Sequence, residues 1–256
     1  MSRAVRRAFT VLAAALTVAL AASAQTGYQS GHQVDPETGL EVGSEAAPQH
    51  LSQHEPANEP VFIATFSNPE LAPSEWKLTL YPDGTGHFHA DRTNSTAPKP
   101  ETIEPIIIDR DVKLSPAFTA EVFAVARKEH FFQIECQSRI KVAFQGWKTL
   151  TYRGPDGQGS CRFNYSKQKN IEALGDSMVA VASTLIEGAR LELLLQHEPL
   201  GLDREMGYIV DASEDGRMAQ IYAIQDILRR LERDPAVMSR VRKRARLLLA
   251  KAERGH

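Results

Sequence analysis

His87, His89 and Asp91 stand at alternate positions of Gly86-His87-Phe88-His89-Ala90-Asp91. On a strand, alternate side chains project to one side, so two imidazoles and a carboxylate would converge as a zinc site requires. His130 and His197 are the more distant histidines left to complete such a set. The plainer reading is two exposed sheet histidines; a metal-dependent hydrolase using His87, His89 and Asp91 is the alternative. A second group is cationic. Arg240, Lys243, Arg244, Lys251 and Arg254 fall on one side of a helical pattern, with Val237, Val241, Ala245, Leu248 and Ala252 on the other. Such a helix can lie on anionic lipid or grip an acidic partner, or it can dock by its apolar stripe and leave its charges in water. The third pair is Cys136 and Cys161, the chain's two cysteines. In an exported protein they are expected to be disulfide-bonded, closing a ring of about 26 residues worth about 3–4 kcal/mol in the chain-entropy model.

The histidine strand resembles the H-x-H-x-D-H motif of metallo-β-lactamase-type hydrolases over five residues, and Arg92 stands where that motif has its next histidine. Ala173-Leu174-Gly175-Asp176-Ser177-Met178 resembles the G-D-S block of SGNH-type esterases, which implies a serine nucleophile at Ser177. The later asparagine and the D-x-x-H of that family are missing, and the block falls inside a helical stripe. No glycine-rich phosphate loop and no nucleophile with a neighbouring base can be found. No catalytic residue and no cofactor is expected.

Arg3, Arg6 and Arg7 precede an apolar run from Phe9 to Ala22, too short to span a bilayer, and Ala22-Ser23-Ala24 offers a cleavage site before Gln25. Residues 1–24 therefore read as a signal peptide, by the general secretory or the twin-arginine route. The expected product is periplasmic or secreted, without a transmembrane helix. It would carry 27 basic and 32 acidic residues, a net charge of −5. That mild balance argues against nucleic acid as a partner. Residues 25–60 hold six acids and no Lys or Arg, with Pro36, Pro48, Pro56 and Pro60, and read as a disordered acidic tether. Residues 217–256 carry eleven basic and four acidic residues.

The elements that must position these groups are two hairpins and several helices. Val61 to Phe66, Trp76 to Leu80, Gly86 to Ala90 and Ile106 to Ile108 read as strands. A two-residue Asp83-Gly84 turn would set His87 and His89 opposite Leu80 and Leu78, mixing polar and apolar on one face. A bulged Pro82-Asp83-Gly84 turn instead sets Phe88 against Leu78 and Ala90 against Trp76, with both histidines on the opposite side. Ser115-Pro116 opens a helix with its apolar stripe through Phe118, Val122, Val125 and Ala126 to about Phe132. A second hairpin, 148–153 and 160–165 around Gly154-Pro155-Asp156-Gly157-Gln158-Gly159, is expected to pair Cys161 with Tyr152 and Phe163 with Leu150. Ile171, Leu174, Met178, Val181, Ala182, Leu185 and Ile186 mark a long helix ended by Pro199, and two more helices are expected near 217–233 and 236–253. The fold class is α+β: an antiparallel sheet of two Pro-Asp-Gly hairpins packed by helices over 61–198, with a helical extension over 199–256 and a basic last helix.

The order hairpin–helix–hairpin–helix, with Trp147-Lys148-Thr149-Leu150-Thr151-Tyr152 and Ser160-Cys161-Arg162-Phe163-Asn164-Tyr165, is similar to uncharacterised secreted bacterial proteins grouped as domains of unknown function. The resemblance spans about residues 61–195 and implies a fold and an address, without an activity. The functional expectation is a non-enzymatic module that binds an unidentified protein or envelope component. Surface attachment through Arg240, Lys243, Arg244 and Lys251 is one alternative, and the hydrolase on His87, His89 and Asp91 is the other.

Overall fold

Strict alternation of apolar and polar residues builds one sheet with a buried and an open face. The computed structural model describes residues 59–98 and 103–254, which belong to a single compact unit. The expected signal peptide at 1–24 and, of the expected tether at 25–60, residues 25–58 lie outside the described residues. Six strands, β1 (Val61–Ser67), β2 (Glu75–Leu80), β3 (Thr85–Asp91), β4 (Ile107–Lys113), β5 (Trp147–Gly154) and β6 (Gly157–Phe163), pair antiparallel in the order β4-β3-β2-β1-β5-β6. Phe62, Leu78, Phe88, Leu150 and Phe163 point inward and are fully buried. Two helices, α1 (Pro116–Lys128) and α2 (Lys169–His197), contribute Val122, Phe123, Ile171, Met178 and Leu185 to that same core.

The first hairpin takes the bulged turn. The Gly84 N–H donates to the Tyr81 carbonyl at 3.0 Å, and Gly84 adopts a φ of +85° that favours glycine. Leu78 then faces Phe88, Trp76 faces Ala90, and both histidines turn to the open side. In the second hairpin the expected pairing is two residues off. Leu150 faces Cys161 and Lys148 faces Phe163, because the turn is only Pro155-Asp156 and β6 begins at Gly157. A slip of two preserves which face each side chain takes, so alternation cannot detect it. Packing decides it. A Cβ on Gly157 would collide with the Phe131 ring, and one on Gly159 with the Phe131 carbonyl. These glycines make room for a neighbour within a strand, where the sequence suggests a turn.

α1 begins as expected, with the Phe118 N–H donating to the Ser115 hydroxyl at 3.4 Å and Pro116 at its first turn. It stops at Lys128, short of Phe132. His130, Phe131 and Phe132 all take left-handed φ values of 54°, 55° and 64°. That reversal swings Phe132 into the core, 6.0 Å edge-on from Phe62, and lays Phe131 5.2 Å from Tyr152. Burial of the two rings offsets a conformation that L-residues resist.

Beyond α2 lie α3 (Leu202–Glu214), α4 (Gln225–Arg233) and α5 (Ser239–Arg254). The sequence reading leaves 199–216 empty and starts the next helix near 217; both points need correction. Leu202, Met206, Ile209 and Ala212 make the buried stripe of α3. Residues 217–220 are held out of helix by tertiary bonds: the Ala219 N–H donates to the Ala180 carbonyl, the Thr184 hydroxyl to the Ala219 carbonyl, and the Ser115 N–H to the Gln220 side chain. Leu191, Leu194 and α3, α4 and α5 form a second apolar cluster, so α2 serves both cores. No described helix is long and apolar enough to cross a membrane.

Candidate functional site

The open face of the sheet carries two chemically distinct ends. One row of residues crosses all six strands: Asp109, His89, Lys77, Thr65, Thr149 and Arg162. Acids stand at the β4 edge and a cation stands at the β6 edge. At the acidic edge, His87 pairs with Asp111 and His89 with Asp109 across β3 and β4. His87 Nδ1 lies 3.0 Å from Asp111 Oδ1, His89 Nδ1 lies 2.8 Å from Asp109 Oδ2, and His87 Nε2 lies 3.2 Å from Asp109 Oδ1. The hydrogen bond to Asp111 raises the affinity of His87 for its proton, and the hydrogen bond from His89 holds the Asp109 carboxyl below its ordinary value. Asp91 takes a different partner: its carboxylate accepts the Thr93 N–H at 2.5 Å. The fold thus gathers His87 and His89 with Asp109 and Asp111, as a ladder of cross-strand imidazole–carboxylate contacts. Among the described residues no group of three or more His, Cys, Asp or Glu is arranged to hold a metal ion.

At the opposite edge the Arg162 guanidinium lies 4.5 Å over the Trp147 ring, and Phe144 packs edge-on to the same indole at 5.8 Å. Phe144 belongs to a segment that sequence reasoning passed over, Arg139-Ile140-Lys141-Val142-Ala143-Phe144-Gln145, in which all seven residues are exposed. Ile140, Val142 and Phe144 keep 51%, 44% and 50% of their surface in water. Three exposed apolar side chains within five residues make this loop a candidate contact surface, with Ile106 and Ile107 at the β4 edge the other exposed apolar pair. The available signal was the i, i+2, i+4 apolar spacing between Cys136 and Trp147, which resembles a strand and pairs with none.

This loop is held from both ends. Cys136 and Cys161 form a disulfide that ties its start to β6. Asn164, only 8% exposed, follows β6 and uses its amide in both directions. Its Nδ2 donates to the Ala143 carbonyl at 3.0 Å, and its Oδ1 accepts the Gln145 N–H at 2.8 Å. The Asn164 N–H is itself held by the Gln137 side chain, and Asn68 Nδ2 donates to the Gln145 carbonyl at 3.2 Å. Gly146 closes the clasp at a φ of +125°, where a Cβ would strike the Phe66 ring. The backbone is pinned while the side chains face water, an arrangement that lowers the entropy cost of binding.

The basic helix has a different surrounding. Val237, Val241, Ala245, Leu248 and Ala252 are buried in the second core. The Arg240 and Arg244 guanidinium groups both reach Asp203 of α3, at 2.7 and 2.6 Å, and the Lys251 ammonium donates to the Ser213 carbonyl. Of the four, Lys243 is exposed without a described partner. Gly175-Asp176-Ser177 lies inside α2, where Gly175 packs on Phe163 and Asp176 accepts from the buried Lys148 ammonium at 2.6 Å. The glycine and the acid serve packing there.

Two concavities border α2. A groove of about 770 Å³ runs between edge strand β4 and α2, walled by Ile103, Ile106, Ile107, Ala189 and Leu193. A smaller cavity of about 40 Å³ is bordered by Arg92, Glu104, Glu187 and Arg190. Burial, reinforced by a hydrogen bond with Glu205, pushes the Glu187 carboxyl up to about 8. No protein-family model matches this chain, and no curated protein shows significant similarity to it.

Proposed function

We propose that this protein is an exported, non-enzymatic binding module that attaches to a component of the cell envelope through the loop 139–145 and the adjoining Trp147–Arg162 stack. The observation that carries this reading is the clasp: a disulfide and the buried Asn164 hold three large apolar side chains with about half of their surface still in water. The convergent charged groups at Glu187 and Arg190 surround only about 40 Å³, room for a few water molecules rather than a substrate. A leader over 1–24 would deliver the chain to the periplasm or the medium, where a disulfide persists. The test is fractionation of cells producing the full chain. Wild type should partition with the envelope, and the Ile140→Ser/Phe144→Ser variant should move to the unbound fraction with an unchanged melting temperature. Identical partitioning of the two proteins would refute the reading.

A further inference from the structure

Building on that reading, we infer that the envelope component is an anionic lipid surface, into which Ile140, Val142, Phe144 and Trp147 dip while Arg139, Lys141 and Arg162 meet the headgroups. Exposure favours lipid over a folded partner: seven consecutive residues are exposed, which suits a soft interface that can cover them all. Charge agrees. The loop carries Arg139 and Lys141 and no acid, and Arg162 lies beside it on β6. Glu135 is 3.7 Å from Arg139, and Lys141 has no carboxylate partner among the described residues. Cations interleaved with branched and aromatic side chains are the composition that binds the boundary between headgroups and acyl chains. A half-buried indole with a guanidinium over its ring fits that depth. The pinned backbone matters as well, since the Ala143 carbonyl and the Gln145 N–H and carbonyl already have partners and need none in the headgroup layer.

The two tryptophans make the test local. Trp76 is buried and stacked on Phe66 at 5.7 Å, whereas Trp147 is half-buried beside the loop. The full chain is titrated with vesicles of phosphatidylethanolamine and phosphatidylglycerol at 3:1, and with phosphatidylcholine alone. Expected is a blue shift of tryptophan emission with the anionic vesicles only, absent in Trp147→Phe. Ile140→Ser/Phe144→Ser should weaken vesicle binding about tenfold or more. Arg139→Gln and Lys141→Gln should weaken it about fivefold each, and half-molar salt should weaken it similarly. A shift of equal size on neutral vesicles overturns the inference, as does binding that survives both sets of substitutions, which would place the contact elsewhere in the chain. Absence of any vesicle response, with Ile140→Ser/Phe144→Ser still released from the envelope in cells, overturns the lipid partner and leaves the loop as a protein-binding surface. Should neither assay respond to the loop, both readings fall.

Discussion

The loop 139–145 and helix α5 read alike in sequence, each mixing cations with apolar side chains, and the fold treats them in opposite ways. In α5 the apolar stripe is buried against α3 and α4, and Arg240, Arg244 and Lys251 are engaged by Asp203 and Ser213. In the loop the backbone is engaged, by Asn164 and Asn68, and the side chains stay exposed, with Arg139 3.7 Å from Glu135 and Phe144 edge-on to Trp147. The difference teaches that a basic and apolar composition says little about binding until the partners of each group are known. A cation already held by a carboxylate must break that contact before it can meet another anion. An apolar side chain already in water gains from any interface that covers it.

The comparison can be broken at several points, and the largest effect is expected at the clasp. Replacing both Cys136 and Cys161 by Ala should cost about 3–4 kcal/mol in denaturant unfolding, since the pair closes a 25-residue separation. It should also blunt the Trp147 response to vesicles; a response of full size would show that the clasp does not present the loop. Next comes pH, whose larger effect should fall on the helical half. Glu187 has its proton affinity raised from 4.5 to about 8 by burial and by Glu205. The stability from that proton is complete below the unfolded value and is lost as pH rises through the folded one. Melting temperature should therefore fall between pH 5 and 9, with a flatter profile in Glu187→Gln, while the loop holds no group titrating in that range. A wild-type profile that is flat or rises would contradict the raised proton affinity of Glu187.

Smaller still is Asp203→Ala. It should cost about 1 kcal/mol in unfolding by releasing Arg240 and Arg244, and leave vesicle binding unchanged. Tighter binding in this variant would return the surface role to α5. The smallest effect belongs to the exposed ladder. His87 has a raised proton affinity, so its pairs stabilise the sheet below its unfolded value near 6.5 and lose that contribution as pH rises above it. His87→Ala should lower stability by a few tenths of a kcal/mol, about 0.3, at pH 5.5 and by nothing measurable at pH 9. A loss of several kcal/mol, or one that metal chelators reproduce, would reopen the metal reading of His87 and His89.

Several of these features were legible before any coordinates. The bulged first turn follows from keeping Trp76, Leu78, Phe88 and Ala90 on one face, and the observed register agrees residue for residue. The Cys136–Cys161 bond and the apolar stripes of α2 and α5 were equally readable, because each rests on a local period or on compartment chemistry. Three other features escaped. The left-handed turn at 130–132 follows from where Phe131 and Phe132 pack. The irregular stretch before α4 follows from bonds to Ala180, Thr184 and Ser115. The candidate site itself depends on Asn164, an asparagine with no local signature, which meets the loop from 21 residues away.

By itself the sequence determined the α+β class, the inward faces of the strands and the pairing of the cysteines, since short-range periodicity and covalent chemistry suffice for these. Tertiary structure alone decided which cations are free, which glycines serve a turn and which a close approach, and which apolar residues remain in water. Those questions depend on what each group meets across the fold, and spacing along a chain does not encode that meeting.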